Sequence, residues 1–255
     1  MKFSANLGFL WLDRPLPERI RAAKAAGFDA VECHFPYEHP AEEIAEVLSE
    51  TGLRMLGINT ALGPEGCFGL AAVAGREPEA RTLIDQAIDY AVAINARHIN
   101  TVAGLTGGAK KAEAVYQENL SYACKRAADS GLMIVIEPLN PRAVPNYHCW
   151  RLDQAVDTIN AVGAPNLKIM YDFFHMQIVH GDLEAMIRAN IDMIGHVQFA
   201  AIHDRGEPDV GEINFPYVFK VLEDAGYDGH LGAEYKPRGK TVEEGLGWIK
   251  TYRYR

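Results

Sequence analysis

Apolar positions along this chain follow two alternating rhythms. Short strand-like runs occur at 2–7 (KFSANL), 29–33 (DAVEC), 53–59 (LRMLGIN), 97–102 (RHINTV), 132–137 (LMIVIE), 167–172 (LKIMYD), 193–199 (MIGHVQF) and 230–235 (HLGAEY). Between them lie stretches of helical period at 15–26, 41–50, 76–95, 110–129, 151–162, 182–190, 216–225 and 241–252. The clearest is 76–95. There Ala80, Leu83, Ile84, Ala87, Ile88, Ala91 and Val92 recur at helical spacing and predict one buried stripe. Glycines at 27, 52 and 226 close three of the helices as C-cap signals. The near-continuous run LMIVIE suits a parallel strand buried on both faces.

Eight strands alternating with eight helices over 255 residues predict an α/β protein, a single (β/α)8 TIM barrel spanning 1–255. A doubly wound open sheet is the rival. It usually carries a glycine-rich phosphate turn after its first strand, and NLGFLWLDRP contains no GxGxxG. No linker, repeat or low-complexity tract marks a second domain. Two long loops follow strands: 60–75, rich in Gly and small residues, and 200–215, which is polar. Both belong to the C-terminal face, where barrel enzymes build their sites, and either is a candidate lid.

Composition narrows the function. Lys+Arg 25 against Asp+Glu 34 gives a formal charge of −9. That balance argues against nucleic-acid binding, which needs basic residues to neutralise phosphates. It does not exclude a small anionic substrate, which responds to local charge. No apolar run approaches the roughly 18 residues of a membrane span. The N-terminus reads as a first strand, not a signal peptide. Cys33, Cys67, Cys124 and Cys149 show neither CxxC spacing nor framework density, so a reduced, cytoplasmic protein is expected. A homo-oligomer is left open. The stretch GLTGGAKKA (104–112) lacks P-loop spacing, and Lys168 is a poor candidate for a Schiff-base lysine.

The last four strands each carry an acidic or amide residue at their C-terminal ends: Glu137, Asp172, Gln198 and Glu234. Their spacings of 35, 26 and 36 residues are each close to one βα unit. Neighbouring strands lie about 4.8 Å apart, so these side chains form an arc around the barrel mouth. Three carboxylates aimed at one point repel unless a cation is present, and a divalent metal is the economical solution. An all-oxygen donor set favours Mg²⁺ or Mn²⁺ over Zn²⁺. His175 follows Asp172 by three residues and is the histidine expected in the pocket. His196 shares the strand face of Gln198 by period two.

These residues sit in a sequence that resembles the hydroxypyruvate isomerase family of xylose-isomerase-like barrels. The resemblance covers nearly the whole chain. It is carried by SANLGFL, AAGFDAVECHFPY, VIEPLN, YDFFHMQ and EEGLGW, and most specifically by GEINFP together with GAEYKPRG. It implies Glu137 and Glu234 as an acid/base pair, with Asp172 and Gln198 as further metal ligands. Ketose epimerases usually carry His where Gln198 stands, which favours the isomerase branch. The implied reaction interconverts hydroxypyruvate and 2-hydroxy-3-oxopropanoate through an enediolate. A 2-oxo-tetronate isomerase, a ketose 3-epimerase and an inosose-dehydratase-like lyase are the alternatives. The small oxo-acid substrate needs a cation for its carboxylate, for which Lys236, Arg205 and Arg76 are candidates. Glu207 is a rival partner for Arg205. Asn6, His34 and Asn59 close the first three strands and are expected to line the pocket.

Overall fold

The computed structural model describes residues 1–253. Eight parallel strands form the barrel: β1 (Lys2–Asn6), β2 (Ala30–Glu32), β3 (Gly57–Asn59), β4 (His98–Asn100), β5 (Met133–Ile136), β6 (Leu167–Asp172), β7 (Ile194–Phe199) and β8 (His230–Ala233). Their order around the sheet is β2-β1-β8-β7-β6-β5-β4-β3. The remaining seam, between β2 and β3, is bridged at Val31 and Met55, with Leu56 N donating to Val31 O at 2.7 Å and Cys33 N to Gly57 O at 3.0 Å. The sheet is therefore a nearly closed (β/α)8 barrel, and closure removes the exposed strand edges of an open sheet.

Helices cover the outside: α1 (Leu16–Ala25), α2 (Ala41–Thr51), α3 (Glu77–Ala93), α4 (Ala112–Ala128), α5 (Leu152–Val162), α6 (Phe173–Val179), α7 (Leu183–Asn190), α8 (Phe215–Asp224) and α9 (Gly247–Arg253). On α3 the buried stripe is Ala80, Ile84, Ala87, Ile88 and Ala91, whereas Val92 is 49% exposed. Each residue turns the helix 100°, so Val92 rotates off the core although its spacing to Ile88 looked right. The expected last helix, 241–252, is a 3₁₀ turn at Glu243–Gly245 followed by α9. An aromatic cluster seals α8 and α9 against the barrel: Trp248 meets Phe3 edge-on at 5.1 Å and Phe199 at 5.3 Å.

One helix was not anticipated. α6 starts directly after β6, with the Asp172 carboxylate accepting from Phe174 N at 2.8 Å as its N-cap. Seven residues are too few for a helical period to show in the sequence. The 60–75 loop is also more fixed than a lid. Ala72 N donates to Ala103 O at 2.6 Å, and a Cβ on Gly69 would lie 2.4 Å from Val102 O. Glycine at 69 (φ 91°) is what allows this close approach of two backbones.

Candidate active site

Strand ends of the barrel converge on a cavity of about 570 Å³ at the C-terminal face. Its floor is polar, with Asn59, Asn100, Glu137, His175, Arg205 and Glu234, and its walls are largely apolar, including Phe9, Phe68 and Phe174. The period-two rule places the floor. Asn6, Asn59, Asn100 and Asp172 each end a strand, and Glu137 and Glu234 each follow one by a single residue. In register, Asp172 pairs with Gln198 and Gln198 with Gly232.

Glu234 is 4% exposed and heavily bonded. Its Oε1 accepts from Asn6 Nδ2 at 2.9 Å and lies 2.8 Å from His34 Nε2, while Oε2 pairs with Arg205. Arg205 also reaches Asp172 Oδ2 at 3.4 Å, and its guanidinium stacks between the rings of Phe9 (4.7 Å) and Phe174 (4.9 Å). Glu137 accepts from Asn100 Nδ2 at 3.0 Å. Glu137, Asp172 and His175 offer ligand-capable atoms all within 4.8 Å of one another, a possible divalent metal site. Gln198 adds a buried amide oxygen with no hydrogen-bond partner.

The residues fit a hard cation. Three carboxylates and an unpartnered amide oxygen form a donor set short of positive charge. His175 is built for another task. Its Nδ1 accepts from Asn140 N at 2.9 Å, so the neutral ring carries its proton on Nε2. That nitrogen is buried without a hydrogen-bond partner, 3.5 Å from Asp172 Oδ2 and 3.9 Å from Glu137 Oε1. Burial, then the Arg205 charge, lowers the ring to about 3. It therefore presents an N–H, not a lone pair.

The carboxylates titrate apart in the protein without a metal. Burial, then the charges of Glu234 and Asp172, holds Glu137 well above the usual range. Burial also raises Asp172, to about 7, against the pull of Arg205. Burial pushes Glu234 the same way, but Arg205 and the His34 hydrogen bond outweigh it and hold Glu234 at about 2.

Of the candidates named from sequence, the structure gathers Glu137, Asp172, His175, Gln198, Glu234, Arg205, Asn6, His34 and Asn59 at the barrel mouth. Lys236 is exposed on the cavity wall, and its ammonium makes no ion pair among the described residues. Arg76 is a correction. Its guanidinium pairs with Glu79 in the first turn of α3, and it lines none of the cavity. Position after a glycine-rich loop suggested proximity, but the loop carries it to the outer helix layer. Glu207 pairs with Arg238 instead of Arg205. His203 lies largely exposed at the rim of the cavity and meets Glu212 at 3.1 Å. Lys168 donates to Asp192 O, at the other end of β6.

Several residues were missed. Asn100 ends β4 as Asn59 ends β3, so the strand-end rule could have found it. Arg142 lines the cavity from the loop after β5, where no period gives a signal. Glu32, 2% exposed inside the barrel, shares a face with Ala30 and His34, and alternation along 29–33 marks it as inward.

Comparison with known proteins agrees with this architecture. The xylose isomerase-like TIM barrel family matches residues 20–252. A 2-oxo-tetronate isomerase from Cupriavidus necator is 43% identical over 256 residues, covering 98% of each chain. The hydroxypyruvate isomerase of Escherichia coli is 39% identical over 258 residues, covering 99% of this chain and 100% of its own. Among solved structures, one described as an AP endonuclease, family 2, from Brucella melitensis superposes with a TM-score of 0.96 at 40% identity, covering 98% of each chain. With matches of this extent around a shared barrel, the chain belongs to the xylose isomerase-like TIM barrel family.

Proposed function

We propose that the chain is an isomerase of short 2-oxo acids, interconverting hydroxypyruvate and 2-hydroxy-3-oxopropanoate. The observation that carries this reading is the buried acidic cluster at the barrel mouth: Glu137, Asp172 and His175 offer ligand atoms within 4.8 Å of one another, Asp172 and Glu234 share Arg205, and Gln198 pairs in register with Asp172. Mg²⁺ or Mn²⁺ is the assigned cation, held by Glu137, Asp172, Gln198 and Glu234, and it would supply Lewis acidity toward the substrate's carbonyl and hydroxyl oxygens. Glu137 and Glu234 stand on β5 and β8 and flank the substrate. One takes a proton from C3 and the other delivers one to C2, while the hydroxyl proton passes from O3 to O2. The N–H of His175 stabilises charge developing on oxygen in between. Arg205 balances the carboxylates, and Lys236 receives the substrate carboxylate at the cavity wall. Residues 1–255 act as one barrel unit in a reduced, cytoplasmic setting, where the four free cysteines are stable.

A four-carbon 2-oxo-tetronate is the second reading, favoured by the cavity. About 570 Å³ of solvent-open cleft has room for the extra carbon, and 2-oxo-tetronate isomerases are among the relatives. The endonuclease description of the Brucella structure is not adopted, because a chain of net charge −9 is poorly suited to a phosphate backbone. A panel of C3 to C6 oxo acids and ketoses, followed by mass and NMR, tests the proposal. Mass-conserving conversion of hydroxypyruvate or 2-oxo-tetronate with solvent deuterium at carbon is expected. A product lighter by one water would make the chain a lyase, and turnover of ketoses alone would make it an epimerase.

A further inference from the structure

Beneath the cavity floor lies a second polar layer, enclosed by the strands. Glu32 of β2 crosses the barrel interior to reach β7. Its Oε1 accepts from Ser4 Oγ at 2.8 Å. Its Oε2 accepts from Gln198 Nε2 at 2.8 Å and lies 3.0 Å from His196 Nε2. The path is cleared by Gly232 on β8, where a Cβ would stand 2.2 Å from Glu32 Oε1 and 3.0 Å from Gln198 Cγ. Gly57 on β3 does the same for His98, whose ring stacks on His196 at 4.6 Å. Gly232 thus gives up a side chain so that a buried carboxylate can meet Gln198, and Gly57 gives one up for the His98 ring beside His196.

We infer that Glu32 is a positioning residue that fixes which end of the Gln198 amide is presented as a ligand. This inference rests on the metal reading above. An amide's oxygen and nitrogen ends are nearly identical in shape and opposite in use: the NH₂ repels a cation and the oxygen binds it. Nothing in the Gln198 side chain itself decides between them. Both Glu32 oxygens are placed as acceptors, Oε1 from Ser4 Oγ and Oε2 from the amide, so the carboxylate takes the NH₂ end and leaves the oxygen for the ion. The arrangement agrees: Nε2 donates to Glu32 at 2.8 Å and more distantly to Glu234 at 3.4 Å, while Oε1 is buried and has no partner among the described residues. Glu32 itself touches neither the cavity nor the three ligand carboxylates. A glutamate at 198 would need no such partner, because either of its oxygens serves.

Titration of Mn²⁺, read from the EPR signal of the free ion, tests this without relying on turnover. In Glu32→Gln the amide at 198 can turn over, and the Mn²⁺ dissociation constant should rise about 10–100-fold, the usual cost of losing a partner that orients a ligand. Melting in EDTA checks that the fold is kept. The double variant Glu32→Gln/Gln198→Glu conserves net charge, exchanges donor and acceptor across the pair and makes amide direction irrelevant. It should recover Mn²⁺ binding to at least the wild-type level. Unchanged affinity in folded Glu32→Gln overturns the inference, as does a folded double variant that binds no better than the single one. Should Glu32→Gln not fold, Glu32→Asp, whose shorter side chain withdraws the carboxylate from the amide, takes its place, with weakened Mn²⁺ binding supporting the inference and unchanged binding overturning it. A wild type that binds no Mn²⁺ overturns the metal reading and this inference together, whereas tight wild-type binding with an indifferent Glu32→Gln overturns only the inference.

Discussion

Glu137 and Glu234 have the same side chain and opposite surroundings, and this makes their exchange for glutamine informative. Each amide keeps an oxygen of similar shape and loses the ability to take or give a proton. General acid/base groups contribute about 10²–10⁴-fold, so kcat of Glu137→Gln and of Glu234→Gln should fall by that order. The variant lacking only the proton-delivering group should still wash solvent deuterium into recovered substrate, and the other should not. Near wild-type turnover by both would remove them from the mechanism. Lys236 and Arg205 separate in a different assay. Lys236→Met should raise KM for oxo acids and leave uncharged ketoses nearly untouched, while Arg205→Met, which uncovers Asp172 and Glu234, should impair both substrate types. Equal KM effects on the two substrate types for Lys236→Met would deny it the carboxylate. The four strand-end residues were legible because strand ends are set by local periodicity. The pairing of Arg205 was not, since a loop residue with left-handed backbone (φ 57°) points where no periodicity predicts.

Between elements, the clearest titratable link lies outside the metal cluster. His148, in the loop after β5, meets Glu113 of α4 at 3.0 Å and Thr106 of the preceding βα loop at 3.2 Å, and Thr158 of α5 also donates to Glu113. The His148 hydrogen bond lowers the Glu113 carboxyl to about 2 against partial burial. A carboxyl depressed in the folded state stabilises fully above its unfolded value, here 4.5, and that contribution disappears as pH falls toward about 2. Denaturant unfolding followed from pH 5.5 to 2.5 should therefore show a shallower acid loss in Glu113→Gln than in the wild type. Glu113 is partly exposed, so solvent screening limits the difference to about 1 kcal/mol. Parallel acid limbs would mean the bond contributes nothing. Elements with long periods, such as α3, could be read from sequence to within a residue or two. The short α6 and the fixing of the 60–75 loop onto Ala103 could not, because one is too brief for a period and the other depends on contact between distant backbones.

At the scale of the whole barrel, the strand count was legible because every βα unit repeats the same switch in period. The polar interior was only half visible: alternation says that Glu32, His98 and His196 face inward, but not that they meet. The cation balance of the mouth is also a property of the assembled barrel. Glu137, Asp172 and Glu234 arrive from three strands, and Arg205, from the loop after β7, is the guanidinium paired with two of them. An ion that binds the folded chain and not the unfolded one stabilises it by about 2.7 kcal/mol at 100 times its dissociation constant. At roughly 2–4 °C per kcal/mol for a chain of this size, Mn²⁺ or Mg²⁺ should raise Tm by about 5–10 °C, and EDTA should reverse it. Arg205→Met sharpens the test. Without metal, the variant leaves buried carboxylates with less compensation, and breaking a buried pair costs up to about 3–5 kcal/mol, so its Tm in EDTA should fall well below wild type. With metal, the ion replaces the lost charge and no longer competes with a guanidinium, so its gain in Tm should exceed the wild-type gain. A variant whose Tm in EDTA is unchanged, or whose metal-induced gain is smaller than that of the wild type, would show that Arg205 and the cation do not share one electrostatic role.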